Sequence, residues 1–173
     1  MSAFADAALL AELRSIAEAH STQLHIQPGA LGGVDALSAA RWMGIDTVEH
    51  RIVKPPEAWA QTPAESLCDL DALTEPVVFF SANASETAKA FPKNANVAMT
   101  TALAGIGPEK TQITLIADPG ATKNRHEITA SGAFGDLDVR IANNALPTNP
   151  KTSAMAALNL VRAIEARVTA IQI

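Results

Sequence analysis

The chain has 173 residues, a formal net charge of -5, 48% hydrophobic residues and 18% charged residues. That is enough for one ordinary globular domain with its own core, too acidic for a general nucleic-acid binder, and too apolar for a disordered segment. Aromatic residues make up only 4% and Tyr is absent, so the core has to be built from Ala, Leu, Ile and Val. The single cysteine, Cys68, excludes an internal disulfide and a multi-cysteine zinc site, and no metal is expected. No apolar run approaches the roughly 18 residues a membrane helix needs, and the partly acidic, amphipathic residues 1–20 are unlike a secretory signal. A cytoplasmic enzyme or binding domain, with no nucleic-acid or membrane partner, is the resulting expectation.

In chain order, residues 5–20 place Leu9, Leu10, Leu13, Ile16 and Ala17 on one helical face. Residues 23–26 read as a short strand stopped by Pro28-Gly29, and residues 34–43 as a second helix ended by Gly44. Residues 47–53 form a strand candidate that Pro55-Pro56 terminates. The stretch 57–81 is irregular apart from the apolar run Val77-Val78-Phe79-Phe80. Short helices are predicted over 85–90, capped by Ser85, and over 96–104, ending near Gly105. Strands follow at 112–117, 126–134 and 137–141. Asn149 as cap and Pro150 at the first position then open a helix to about Glu165, and residues 168–173 close as a strand. The sum is an α+β fold, a mixed sheet backed by helices, preceded by the remnant of a Rossmann-type α/β unit. The domain boundary is expected after residue 30.

Four segments put polar residues and glycines among apolar ones. Residues 28–35 lie between a strand and a helix, where small residues let a ligand approach the backbone; a plain tight turn accounts for them equally. Residues 91–97 present Lys93, Asn94 and Asn96 before an apolar helix, either as capping groups or as ligands for a polar molecule. His126 stands at the entry to a strand and can move a proton near neutral pH, although most lone histidines are structural or merely exposed. His20, His25 and His50 are given that plainer role. Lys151, Thr152 and Ser153 fall in the first turn of the predicted last helix, where free backbone N–H groups attract anions. An ordinary capped helix start explains them as well.

Taken together these segments resemble the L-aspartate dehydrogenase family, over nearly the whole chain. The motifs are Gly29-Ala30-Leu31-Gly32-Gly33-Val34-Asp35-Ala36-Leu37, Lys54-Pro55-Pro56, Phe91-Pro92-Lys93-Asn94-Ala95-Asn96-Val97-Ala98, Ala117-Asp118-Pro119, Gly132-Ala133-Phe134-Gly135 and Asn149-Pro150-Lys151-Thr152-Ser153. Each is weak alone; six in the family's order are specific. The resemblance implies oxidation of L-aspartate to iminoaspartate with hydride passed to NAD or NADP. The product then yields oxaloacetate and ammonia or enters NAD biosynthesis through quinolinate. It also implies a homodimer, His126 as the active-site residue, and Ala30 and Asn96 at the nicotinamide cofactor. Substrate carboxylates need cationic or N–H partners, which makes Lys151, with Thr152 and Ser153, the leading anchor and Lys93 the second. The family's glycine-rich phosphate loop has no counterpart here, since no GxGxxG occurs. The resemblance therefore begins inside the cofactor domain, and a non-catalytic oligomerisation or ligand-binding domain of the family is the competing expectation.

Overall fold

The computed structural model describes residues 2–147 and 149–171, and the side chains of all of these except 2 and 149–151. A 3-10 turn, Ser2–Ala5, leads into α1, Ala7–Ala19, whose first turn is capped by Asp6 accepting from the Ala8 and Leu9 N–H groups at 2.9 and 3.2 Å. Residues 23–26 do not form a strand. Their only apolar side chains are Leu24 and Ile26, and no strand among the described residues pairs with them. Helix α2, Val34–Ala40, follows Gly33, whose φ of 69° and place against Val139 both demand glycine.

The centre is a five-stranded sheet in the order β2-β3-β1-β4-β5, made of β1 Ile45–Lys54, β2 Val77–Asn83, β3 Gln112–Ala117, β4 Asn124–Gly132 and β5 Gly135–Asn143. The pair β1/β3 is parallel and the others antiparallel, so the expected mixed sheet is present. The β4–β5 hairpin turns through Ala133-Phe134. Gly132 is obligatory there, because a Cβ would run into the Gly44 carbonyl at the start of β1.

Alternation along the strands separates two faces. Val48, His50, Ile52, Ile113, Leu115, His126, Ile128 and Ala130 are buried. Glu49, Arg51, Glu127 and Arg140 occupy intervening, more exposed positions, with Arg51 and Arg125 paired to Glu127 at 3.4 and 2.7 Å. The buried face is covered by α3, Ala84–Ala90, and α4, Ala95–Ala104. Helix α4 buries seven residues, all Ala, Thr or Met, which lets it lie close to the sheet. Helix α3 starts one residue earlier than expected and is capped by Asn83, accepting from the Glu86 N–H at 2.9 Å, rather than by Ser85. Trp59, in a 3-10 turn of the irregular stretch, is fully buried against Phe79 and Phe91 and donates to the Ile116 carbonyl at 3.0 Å.

The largest departure lies near the end of the chain. Asn149 and Pro150 do not open a helix: β6, Ala145–Leu146, and β7, Asn149–Ser153, pair antiparallel, and α5 runs from Ala154 to Glu165 with Ser153 at its N-cap. The Ala154 N–H donates to the Asn144 carbonyl at 2.9 Å, so the ladder continues up to the helix start. Cap-like residues are spent here on an edge strand, where proline is tolerated. Residues 168–171 are not a strand, and 172–173 lie outside the described residues.

Candidate active site

Register places the two buried histidines together. In the β1/β4 pair His126 faces Ile52 and His50 faces Ile128, so the two imidazoles are diagonal neighbours on the helix-covered face. His126 Nδ1 and His50 Nε2 are 3.1 Å apart, and His50 Nδ1 is 2.8 Å from the Thr101 hydroxyl of α4. That hydroxyl donates back to the Val97 carbonyl at 3.1 Å. Burial, and then the neighbouring His126, holds His50 well below its ordinary value. Burial first and the Lys54 ammonium second pull His126 down to about 3. Both rings are therefore neutral at pH 7.

Lys54 ends β1 in the same alternation as His50 and Ile52. Its ammonium donates to Asn94 Oδ1 at 2.5 Å and lies 4.7 Å from the centre of the Trp59 ring. Burial lowers it to about 8. Asn94 occupies the N-cap position of α4 without capping it, because its side chain is committed to Lys54.

His126, Ala30, Asn96, Lys93, Thr152 and Ser153 all line one cavity of about 250 Å³. These are six of the seven residues singled out from sequence; the Lys151 side chain lies outside the described residues. Lys54, Asn94, Asn124 and Lys93 also border an adjoining hollow of about 500 Å³ reaching Thr122, Lys123 and Asn143. Helices α4 and α5 both begin at the smaller cavity, through Asn94, Asn96, Ser153 and Ala156, and among the described residues no carboxylate lines it. The anion-attracting helix start expected at Pro150, after Asn149 as cap, is thus found four residues on, at Ala154, and Thr152 and Ser153 remain beside it.

The Gly29-Ala30 turn is held by side chains that sequence reading passed over. Asn143 of β5 donates to the Ala30 carbonyl at 2.9 Å and Asn159 of α5 to the Gly29 carbonyl at 2.7 Å. A Cβ built at Gly29 would meet nothing within 4 Å, so the turn faces open space. Lys54, Asn124, Asn143, Asn159, His50 and Thr101 were not picked out as site residues, and Asn94 was noted as a capping or ligand group without a role of its own. The one available signal was Lys54 in Lys-Pro-Pro, directly after a strand; the others are made neighbours only by sheet register and helix packing. His20 and His25 are exposed, as their plainer role requires, whereas His50 is bound to the site.

A mixed sheet under a helix layer, with a neutral histidine in a cation-lined cavity, defines an α+β domain equipped for proton transfer to or from an anionic molecule. The chain belongs to the family described as aspartate dehydrogenase, C-terminal, whose model matches residues 35–167. It is 56% identical over 167 residues to an L-aspartate dehydrogenase of Brucella anthropi, covering 96% of this chain and 62% of that one. Identity to an L-aspartate dehydrogenase of Acinetobacter baumannii is 45% over 169 residues, covering 98% and 64%. The crystal structure of aspartate dehydrogenase from Thermotoga maritima superposes with a TM-score of 0.79 at 25% identity, over 99% of this chain and 65% of that one. The chain spans somewhat less than two thirds of the length of these relatives.

Proposed function

We propose that this chain is the substrate-binding and catalytic portion of an NAD- or NADP-dependent L-aspartate dehydrogenase, oxidising L-aspartate to iminoaspartate. Residues 1–30 would close a dinucleotide-binding domain, and residues 31–173 would form the catalytic and dimerisation domain of a cytoplasmic enzyme. The observation that carries this reading is the cavity itself: a neutral histidine among two lysines and two helix starts, with no acidic lining residue among those described. A dicarboxylic amino acid needs such surroundings for its charge and one base for its ammonium group.

Ala30 and Asn96 would hold the nicotinamide cofactor, beside the open space at Gly29, and that cofactor would supply the hydride acceptor for oxidation at the α-carbon of aspartate. His126 takes the proton from the substrate's α-ammonium group, freeing the nitrogen lone pair that forms the imine. Lys54, Lys93 and Lys151, with Thr152, Ser153 and the start of α5, receive the two carboxylates. His126 is depressed first by burial and then by the Lys54 ammonium, and the two carboxylates of aspartate beside Lys54 offset that second influence, so His126 becomes a stronger base in the complex than in the free protein.

The test joins this chain to the cofactor-binding segment of the Brucella anthropi relative and measures turnover. His126→Ala is expected to lower kcat about a hundredfold or more with coenzyme affinity little changed. Lys151→Ala is expected mainly to raise the KM for aspartate. Near-normal kcat in folded His126→Ala overturns the catalytic assignment. A folded chimera with no turnover returns the chain to a ligand-binding or oligomerisation role.

A further inference from the structure

We infer that His50 and Thr101 are positioning residues that hold His126 in the tautomer carrying its proton on Nδ1, leaving the Nε2 lone pair for the cavity. This rests on the reading of His126 as the proton acceptor. Protons are limited along a buried chain of four groups: Val97 carbonyl, Thr101 hydroxyl, His50, His126.

The Thr101 hydroxyl has one proton and touches two acceptor-capable atoms, the Val97 carbonyl at 3.1 Å and His50 Nδ1 at 2.8 Å. If the proton goes to Val97, the imidazole nitrogen has to supply its own. His50 is then protonated on Nδ1, its Nε2 accepts, and His126 donates from Nδ1 across the 3.1 Å contact. Every contact in the chain then carries one proton. The opposite direction sends the Thr101 proton to His50 and sets two oxygens, Thr101 Oγ1 and the Val97 carbonyl, face to face with none between them. In a buried setting that repulsion costs more than at a surface. His50 and Thr101 are both fully buried, so water does not relieve it.

The chemical consequence follows from the neutral orienting group. His50 fixes which nitrogen is free without adding a negative charge beside Lys54, so the surroundings of His126 stay positive for an anionic substrate. When His126 takes a proton on Nε2, its Nδ1–H still donates to His50, and no bond in the chain has to reverse.

Long-range ¹H–¹⁵N correlation spectra of ¹⁵N-histidine-labelled protein at neutral pH test this directly, with exposed His20 and His25 as internal references. Protonated Nδ1 and pyridine-type Nε2 are expected on both His50 and His126. Thr101→Val removes the acceptor for the His50 Nδ1–H and is expected to leave His126 as a mixture of tautomers, whereas Thr101→Ser keeps the original pattern. In the active chimera, Thr101→Val should lower kcat at least about tenfold with KM for aspartate unchanged, and Thr101→Ser should restore it. A wild-type His126 protonated on Nε2 overturns the inference, and so does an unaltered His126 pattern in folded Thr101→Val. The wild-type spectrum decides even if Thr101→Val does not fold. Failure of the catalytic reading shows elsewhere, as turnover retained in His126→Ala, and leaves the tautomer result intact.

Discussion

Helices α4 and α5 are ten and twelve residues long, and their sequence patterns run opposite to their burial. Helix α5 has the clear amphipathic stripe that usually marks a core helix, yet buries no residue, and Leu158, Leu160, Val161 and Ile164 are each more than half exposed. Helix α4 has no stripe and buries seven of its ten residues between the sheet, α3 and the first turn of the chain. A stripe reports a helix at a boundary between two environments. Even, small-residue composition reports one enclosed on several sides, and that is the helix from which Thr101 reaches His50.

Substitution should separate the two helices sharply. Met99→Ala, emptying a fully buried site in α4, is expected to cost about 2–5 kcal/mol, read as a lowered denaturation midpoint. A loss below about 1 kcal/mol would show that this layer is looser than its burial implies.

The histidines beneath α4 give a pH signature that α5 cannot. Below pH 6.5 histidines in the unfolded chain take up protons, while folded His126 stays neutral until about pH 3. The unfolded state then binds more protons, so stability falls with falling pH through that window, by up to about 1.4 kcal/mol per pH unit for His126. Buried His50 adds a contribution of the same sign. His126→Gln should flatten this slope in denaturation series between pH 7 and 4; an unchanged slope would mean that His126 is not held neutral by burial.

Smaller effects follow at the edges of the comparison. Asn143→Ala unpairs the buried Ala30 carbonyl and is expected to cost about 1–3 kcal/mol. In the chimera it should also weaken coenzyme binding, whereas unchanged affinity would dissociate Asn143 from the cofactor turn. Ile164→Ala on α5 should change stability by no more than about 0.5 kcal/mol. If the homodimer implied by the family resemblance covers α5, the same variant should shift its dissociation constant in light scattering. A monomer at all concentrations would leave the α5 stripe unexplained by self-association.

Much of the architecture was legible from local pattern alone. The strand at 112–117, the strand expected at 126–134 and found two residues earlier at 124–132, the helix ending at Gly105 and the turn at Gly33 follow from alternation, capping and positive φ, all properties of a few adjacent residues. His126, Ala30 and Asn96 were also reached from sequence through the family resemblance, and Lys93, Thr152 and Ser153 through the charge of the substrate it implies; all six share one cavity. Residues 149–153 form a strand where a helix start is expected, because asparagine and proline before a helical pattern suit a cap and an edge strand alike, and only pairing with 145–146 chooses. The partners of the site were decided by tertiary structure. His50 lies 76 residues from His126 in sequence, Asn143 lies 113 from Ala30, and Asn159 lies 130 from Gly29. Sheet register and the placing of α4 and α5 bring such groups within hydrogen-bond reach. Periodicity specifies which face of an element is buried, and carries no information about which buried groups will meet there.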